Sequence, residues 1–123
     1  MNKITKVIAR QIFDSRGFPT IETEVFCGNN SSKAICPSGA STGTYEAYEK
    51  RDKIKKKYLG KSVYKAVNNV NNIIAKKILK KNIHNQELID SLLIKLDGTK
   101  QKTKLGANST LSVSIAVKKL SAK

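Results

Sequence analysis

Residues 20–27 read Thr-Ile-Glu-Thr-Glu-Val-Phe-Cys, in which Ile21, Thr23 and Val25 alternate with two glutamates. Successive side chains of a β-strand point to opposite faces, so Ile21, Thr23, Val25 and Cys27 share one face. Glu22 and Glu24 lie on the other face. The pattern predicts a strand with one face against a core and the other towards water.

Two further strands are predicted on either side of this one. Residues 4–13 are rich in β-branched and aromatic side chains, and residues 33–36 form a short third run. Turn-forming residues separate the runs at 14–19 and 28–32. Together the three runs predict a small antiparallel meander.

The second half of the chain has helical periodicity. Its apolar residues recur at three- and four-residue steps in two stretches: Val63, Ala66, Val67, Val70, Ile73, Ile74 and Ile78, then Leu88, Ile89, Leu92, Leu93 and Leu96. Ser62 is the predicted cap of the first helix, and Asp97-Gly98 ends the second. A last helix carries Leu111, Ile115 and Val117, with Asn108 as its candidate cap.

Strands followed by helices, without βαβ alternation, indicate an α+β fold. The chain has 123 residues, whereas an α/β barrel needs roughly 250, so any barrel would have to lie outside it. We see no apolar stretch long enough to span a membrane and no signal-peptide core, and therefore expect a cytoplasmic protein. Two cysteines and one histidine support neither a disulfide scaffold nor a zinc site, so both thiols are expected to be reduced core residues.

The charge balance is strongly basic. Lysine and arginine number 24 against nine acidic residues, a net charge of +15, which favours association with polyanions. Only Arg10, Arg16 and Arg51 are arginine, and no aromatic residues are interleaved with the lysines to stack on bases. Lysine is enriched together with asparagine and isoleucine, as an AT-rich genome would produce, so a solvated basic surface is the preferred interpretation.

One segment contains only small side chains apart from its proline. Residues 37–43 read Pro-Ser-Gly-Ala-Ser-Thr-Gly, and their hydroxyls can bind a hard cation or phosphate oxygens. Such a segment is either a plain connector or a lid that closes over a substrate. It lacks the lysine of a P-loop and the spacing of a dinucleotide fingerprint.

Other polar residues form no catalytic set. The turn Asp14-Ser15-Arg16-Gly17 is either a salt-bridged corner or a patch presented to a partner. Glu46, Glu49 and Asp52 are expected on the solvated face of a helical stretch beginning near Tyr45. A single histidine with no adjacent nucleophile gives no triad.

The order of motifs resembles the N-terminal domain of the enolase family over nearly the whole chain. The motifs that carry the resemblance are Ala9 to Gly17, Pro19 to Glu22, Pro37 to Gly43, Glu46-Ala47, Arg51-Asp52, Tyr58 to Lys61, Leu96 to Thr99 and Lys104 to Asn108. The combination of Asp-Ser-Arg-Gly-x-Pro-Thr with Pro-Ser-Gly-Ala-Ser-Thr-Gly is highly specific to that family.

The resemblance implies dehydration of 2-phospho-D-glycerate to phosphoenolpyruvate in glycolysis, by a homodimer that uses two magnesium ions. It implies that the lid loop, Pro37 to Gly43, closes over the active site and that Ser41 holds the second magnesium. The lid residues so implied are Ser38, Gly39, Ala40, Ser41, Thr42 and Gly43. It places Arg10, Arg16 and Glu22 at the dimer interface.

The family's base, acid and first-metal carboxylates belong to a C-terminal barrel that is absent from this sequence. We therefore expect residues 1–123 to be an enolase capping domain, truncated near its last helix and inactive alone. The resemblance also allows a secondary cell-surface or secreted pool. Phe18 and Lys53 stand where the family usually has asparagine and glycine. Two alternatives remain open: an inactive remnant or interaction module that docks on an enolase subunit, and a basic polyanion-binding domain.

Overall fold

A computed structural model describes residues 2–36, 49–53, 62–99 and 104–123. Three strands form one antiparallel sheet in the order β1-β2-β3: β1 is Lys6–Phe13, β2 is Pro19–Cys27 and β3 is Asn30–Ile35. The predicted meander is confirmed. The second turn is shorter than predicted, because Cys27 already pairs with Asn30 and Gly28 adopts a left-handed φ of 61°.

The two faces of β2 are those that the alternation predicts. Ile21, Thr23 and Val25 have no exposed surface, whereas Glu22 and Glu24 lie on the partly exposed outer face. Thr23 is satisfied in the core because its hydroxyl lies 2.8 Å from the hydroxyl of Ser112.

The helices follow the strands, as the α+β prediction requires. Helix α1 spans Tyr64–Asn69 and runs through a π-helical turn, Val70–Ile74, into α2, Ala75–Ile78. Helix α3 spans Gln86–Asp97 and ends at Gly98, which has a left-handed φ of 68°. Helix α4 spans Ala107–Ser121 and packs against β2 and β3, while α1 and the π-turn pack against β1.

The predicted apolar stripe of the first helix is wrong at one residue, Ile73, which lies in the π-turn. A π-turn holds more residues than an α-helical turn and therefore rotates the positions within it. Val70 and Ile74 are fully buried, but Ile73 is 39% exposed. Asn71, in the same turn, reaches the outer edge of β1: its Oδ1 accepts from the Ala9 N–H at 2.8 Å, and its Nδ2 donates to the Ala9 carbonyl at 3.1 Å.

Both predicted helix caps are wrong. The first amides of α1 are bound by Asp52, which accepts from Tyr64 N at 3.1 Å and from Lys65 N at 2.9 Å. The Ser62 hydroxyl is buried and has no hydrogen-bond partner among the described residues. Asn108 lies inside α4, behind its N-cap Gly106, and its side chain bonds elsewhere.

The outer edge of β3 is contacted by the end of α4. Lys119 Nζ donates to the Lys33 carbonyl at 3.2 Å, and Lys123 Nζ donates to the Ser31 carbonyl. None of the helices in the described ranges has the length and hydrophobicity needed to cross a bilayer.

Candidate functional site

The lid loop itself lies outside the described residues, and so do all six of its predicted site residues, Ser38, Gly39, Ala40, Ser41, Thr42 and Gly43. The structure instead describes the residues on either side of it. Cys36 precedes the gap, and residues 49–53 follow it.

The preceding side is held by β2. The Cys36 N–H donates to the Ile21 carbonyl at 3.2 Å, and the Thr20 hydroxyl donates to the Cys36 carbonyl at 2.6 Å. The Cys36 side chain is buried, and burial raises the pKa of its thiol to about 11. A buried thiol with a raised pKa is stabilised in its protonated form, which is typical of a core residue. Cys36 is buried in the core, as predicted, whereas Cys27 is only partly buried against it.

The following side is held by the same strand. Arg51 Nη1 donates to the Pro19 carbonyl at 3.0 Å, and its Nη2 forms an ion pair with Glu49. Residues 49–53 are not helical, so the expected solvated helical face is wrong for Glu49 and Asp52. Glu49 is half-buried against Arg51 because the two charges neutralise each other there. Glu46 lies outside the described residues.

A second contact fixes this segment to α4. The Asn108 side chain forms two hydrogen bonds with the Lys50 backbone, accepting from N–H at 2.9 Å and donating to the carbonyl at 3.0 Å. Gly106 permits the close approach: a Cβ there would lie 2.5 Å from the Lys50 Cβ, and its φ of 93° favours glycine.

Both flanks of the lid loop therefore bond to Pro19, Thr20 and Ile21, at the start of β2. These flanking contacts use backbone groups, a buried hydroxyl and an ion-paired guanidinium, which together make a fixed frame. We name this frame, consisting of Pro19–Ile21, Cys36, Glu49–Arg51 and Asn108, the loop anchor. Sequence reasoning missed it because Arg51 and Asn108 act on residues far along the chain, 32 and 58 positions away.

Two of the predicted interface residues meet on the outer face of the sheet. Arg10 is directly opposite Glu22, and Arg10 Nη1 lies 2.7 Å from Glu22 Oε1. Arg10 Nη2 also pairs with Glu24 at 3.0 Å, a partner the prediction left out although alternation places it on the same face. The Arg10 bond lowers the pKa of Glu24, and the bonds to Glu22 and Glu24 raise the pKa of Arg10.

The third predicted interface residue, Arg16, lies apart from that pair in the β1–β2 turn. Asp14 holds this turn: its Oδ1 accepts from the backbone N–H groups of Arg16 and Phe18, both at 2.9 Å, and the bond from Phe18 lowers the pKa of Asp14. Arg16 lies 4.0 Å from the Asp14 carboxylate and 5.3 Å from the centre of the Phe18 ring. The turn is therefore held mainly by the backbone hydrogen bonds to Asp14, and less by the Arg16–Asp14 ion pair. The Arg16 guanidinium lies over the Phe18 ring.

No group of three or more histidine, cysteine, aspartate or glutamate side chains that could hold a metal ion occurs among the described residues.

Comparison with known proteins identifies the family. The chain matches the family described as "Enolase, N-terminal domain" over residues 4–123. It is 66% identical over its whole length to a protein named Enolase from Pelagibacter ubique (strain HTCC1062), of which it spans 29%. It is 56% identical over 97% of its length to a protein named Enolase from Ehrlichia canis (strain Jake), of which it spans 28%. The chain therefore spans less than a third of these relatives, and it belongs to the enolase family through the N-terminal domain.

Proposed function

We propose that this chain is the lid-bearing N-terminal part of an enolase, which dehydrates 2-phospho-D-glycerate to phosphoenolpyruvate. The observation that carries the proposal is the loop anchor. It holds Cys36, directly before the Pro-Ser-Gly-Ala-Ser-Thr-Gly segment, and residues 49–51, further along the chain, on one corner of the sheet, which is the base from which a lid would close. The enolase names of relatives at 66% and 56% identity supply the reaction.

Ser41 is the proposed magnesium ligand. Magnesium prefers oxygen ligands and usually takes only one or two from the protein, with waters and substrate oxygens completing its shell. A serine of the lid loop fits that donor chemistry. When bound, the ion would stabilise negative charge on the substrate.

The proposed role of this chain's own residues is to position the lid loop. The loop anchor would bring Ser38, Gly39, Ala40, Ser41, Thr42 and Gly43 over a substrate held elsewhere and exclude water from it. The chain alone is proposed to be inactive, because the resemblance assigns the base and the acid to the missing barrel domain.

The proposed assembly is a cytoplasmic homodimer with Arg10, Arg16 and Glu22 at its interface. Arg10 and Glu22 suit such a contact because they form a charge pair on the partly exposed outer face of the sheet. A partner with complementary charges could exchange ion pairs with them at little desolvation cost.

The first test joins this chain to the remaining part of the Pelagibacter ubique enolase. We expect the chimera to dehydrate 2-phosphoglycerate, followed by the ultraviolet absorbance of phosphoenolpyruvate, and to need magnesium. A chimera that folds cooperatively but shows no turnover contradicts the proposed function.

The second test replaces Ser41 in that chimera. Ser41→Ala should lower kcat by at least about tenfold and raise the magnesium concentration needed for half-maximal rate, because one oxygen ligand is lost. Ser121→Ala is the matched control, since that exposed hydroxyl bonds the Lys118 carbonyl at the far end of α4. Equal rates and equal magnesium dependence in the two variants would remove Ser41 from the metal site.

A further inference from the structure

We propose that the pocket beside the outer edge of β3 binds a phosphate group. The pocket has a volume of about 520 Å³ and is lined by three lysines, two serines and one glutamate, which are Lys33, Lys119, Lys123, Ser31, Ser32 and Glu24. We name it the β3-edge pocket. It has room for a phosphate group together with several waters, at about 30 Å³ for each water. The inference is independent of the proposed dehydration, because none of the loop-anchor residues lines this pocket.

Two lysine side chains are held side by side in the β3-edge pocket. Lys119 Nζ donates to the Lys33 carbonyl at 3.2 Å, and Lys123 Nζ donates to the Ser31 carbonyl. Residues two apart on a strand are separated by about 7 Å, so the two ammonium groups are kept at close range. Like charges at this range repel each other, and an anion bound between them removes that repulsion.

The bonds to the carbonyls leave donors for such an anion. An ammonium group has three N–H donors, and the bond to a carbonyl uses one of them. The N–H and C=O of one residue in an antiparallel strand point to the same side, so the Lys33 N–H lies at the edge to which its carbonyl points. That edge faces away from β2, the neighbour with which β3 pairs in the sheet.

A buried hydroxyl gives the pocket a specific donor. Ser32 lines the pocket although it is only 7% exposed, and its hydroxyl has no hydrogen-bond partner among the described residues. A buried hydroxyl left without a partner is unfavourable. Donation of its O–H to a phosphate oxygen would satisfy it, which distinguishes the β3-edge pocket from an ordinary lysine-rich surface.

The acidic residue of the lining does not cancel the positive charge. Glu24 Oε1 pairs with Arg10 Nη2 at 3.0 Å, and Glu24 Oε2 accepts from the Ser31 hydroxyl at 3.1 Å. Both carboxylate oxygens are therefore bonded to groups other than the lining lysines. Three ammonium groups outnumber this one carboxylate even when its charge is counted in full, so the pocket attracts a phosphate dianion.

The test titrates inorganic phosphate into this isotope-labelled chain and follows the backbone amide signals by NMR. Sodium chloride at the same ionic strength is the control, because it screens charges without offering several oxygens to one set of donors. Phenyl phosphate is titrated in parallel, so that a phosphate ester and free phosphate are compared as sources of the group.

The first variant removes charge from the pocket. Lys119→Gln/Lys123→Gln deletes both ammonium groups that bond to β3. Lys76→Gln/Lys77→Gln is the matched control, since it deletes two exposed lysines of α2 that do not line the pocket. The two double variants have the same net charge, so any difference between them reports the position of the lysines.

The second variant keeps every charge. Ser32→Ala deletes a hydroxyl that has no partner in the described part of the chain, so the fold should be retained. Ser62→Ala is its matched control, because that hydroxyl is likewise buried without a described partner but does not line the pocket.

We expect phosphate to shift the amide signals of residues 31–33 and 119–123 saturably, with a Kd on the order of 1 mM, and to leave those of residues 76–81 nearly unchanged. Lys119→Gln/Lys123→Gln should weaken binding at least about tenfold and Ser32→Ala at least about threefold, whereas each control should change it by less than about twofold.

Equal shifts at residues 76–81, or the same shifts with sodium chloride, would mean general attraction to a basic protein and would overturn the proposal. Phosphate binding by Ser32→Ala that is as tight as that of the parent would also overturn it. Tighter binding of phenyl phosphate assigns the pocket to phosphate esters, and equal affinities assign it to free phosphate. Either result leaves the proposed dehydration untouched, because the titration needs no part of an enolase active site.

Discussion

Asp52 shows how a single side chain joins the loop anchor to the helices. It follows Arg51 directly, and its carboxylate accepts two hydrogen bonds from the first amides of α1. Its own N–H donates to the Ser62 carbonyl at 2.8 Å. A carboxylate at a helix N-terminus satisfies otherwise unpaired amides and interacts favourably with the helix dipole. The sequence suggested Ser62 because it precedes the helix, but no local rule indicates a cap 12 residues away.

Replacing the two candidate caps separates their roles. Asp52→Ala should lower the free energy of unfolding by about 1–2 kcal/mol, because two helix amides lose their acceptor. Ser62→Ala should be neutral or slightly stabilising, since it removes a buried hydroxyl with no partner in the described part of the chain. Urea unfolding monitored by circular dichroism measures both. An Asp52→Ala variant as stable as the parent would show that water or another group caps α1.

At the level of elements, periodicity predicted the type and order of the strands and helices. The alternation in β2 also identified the polar face on which Arg10 meets Glu22 and Glu24. Periodicity could not predict the π-turn. That turn coincides with the bonds from Asn71 to the Ala9 backbone, which depend on how the helix packs against β1. Nor could it predict the loop anchor, whose contacts join segments far apart in sequence.

Two adjacent asparagines in the π-turn, Asn71 and Asn72, should contribute differently to stability. Asn71→Ala should lower the free energy of unfolding by about 1–2 kcal/mol, because the N–H and carbonyl of Ala9 both lose a partner. The exposed neighbour Asn72 provides the control, and Asn72→Ala should have almost no effect. Hydrogen exchange of the Ala9 amide should accelerate only in the Asn71→Ala protein. Unchanged exchange at Ala9 would contradict the assigned role.

Across the whole molecule the net charge is +15, because nine acidic residues are too few to neutralise 24 basic ones. The ion pairs between described residues all use arginine: Arg10 with Glu22 and Glu24, Arg16 with Asp14, and Arg51 with Glu49. The many lysines thus contribute mutual repulsion to the folded state, which salt reduces.

We accordingly expect the melting temperature of this chain to rise by several degrees when sodium chloride is increased from about 0.01 M to about 0.15 M. An uncharged osmolyte at matched osmolality should produce a smaller rise, because it screens no charge. Differential scanning calorimetry measures the melting temperature under each condition. A melting temperature that falls with salt would mean that the few ion pairs outweigh the repulsion between lysines.

Side chains from elsewhere in the chain bond to backbone groups on the outer edges of β1 and β3. Asn71 occupies the peptide groups of Ala9 on β1, and Lys119 and Lys123 occupy carbonyls of Lys33 and Ser31 on β3. A three-stranded sheet with exposed edges is a template on which further strands from other molecules can polymerise. Here side chains of the π-turn and of the C-terminal end of the chain occupy part of each edge. Folding of the helices onto the sheet therefore removes some of the backbone groups to which a further strand would bond.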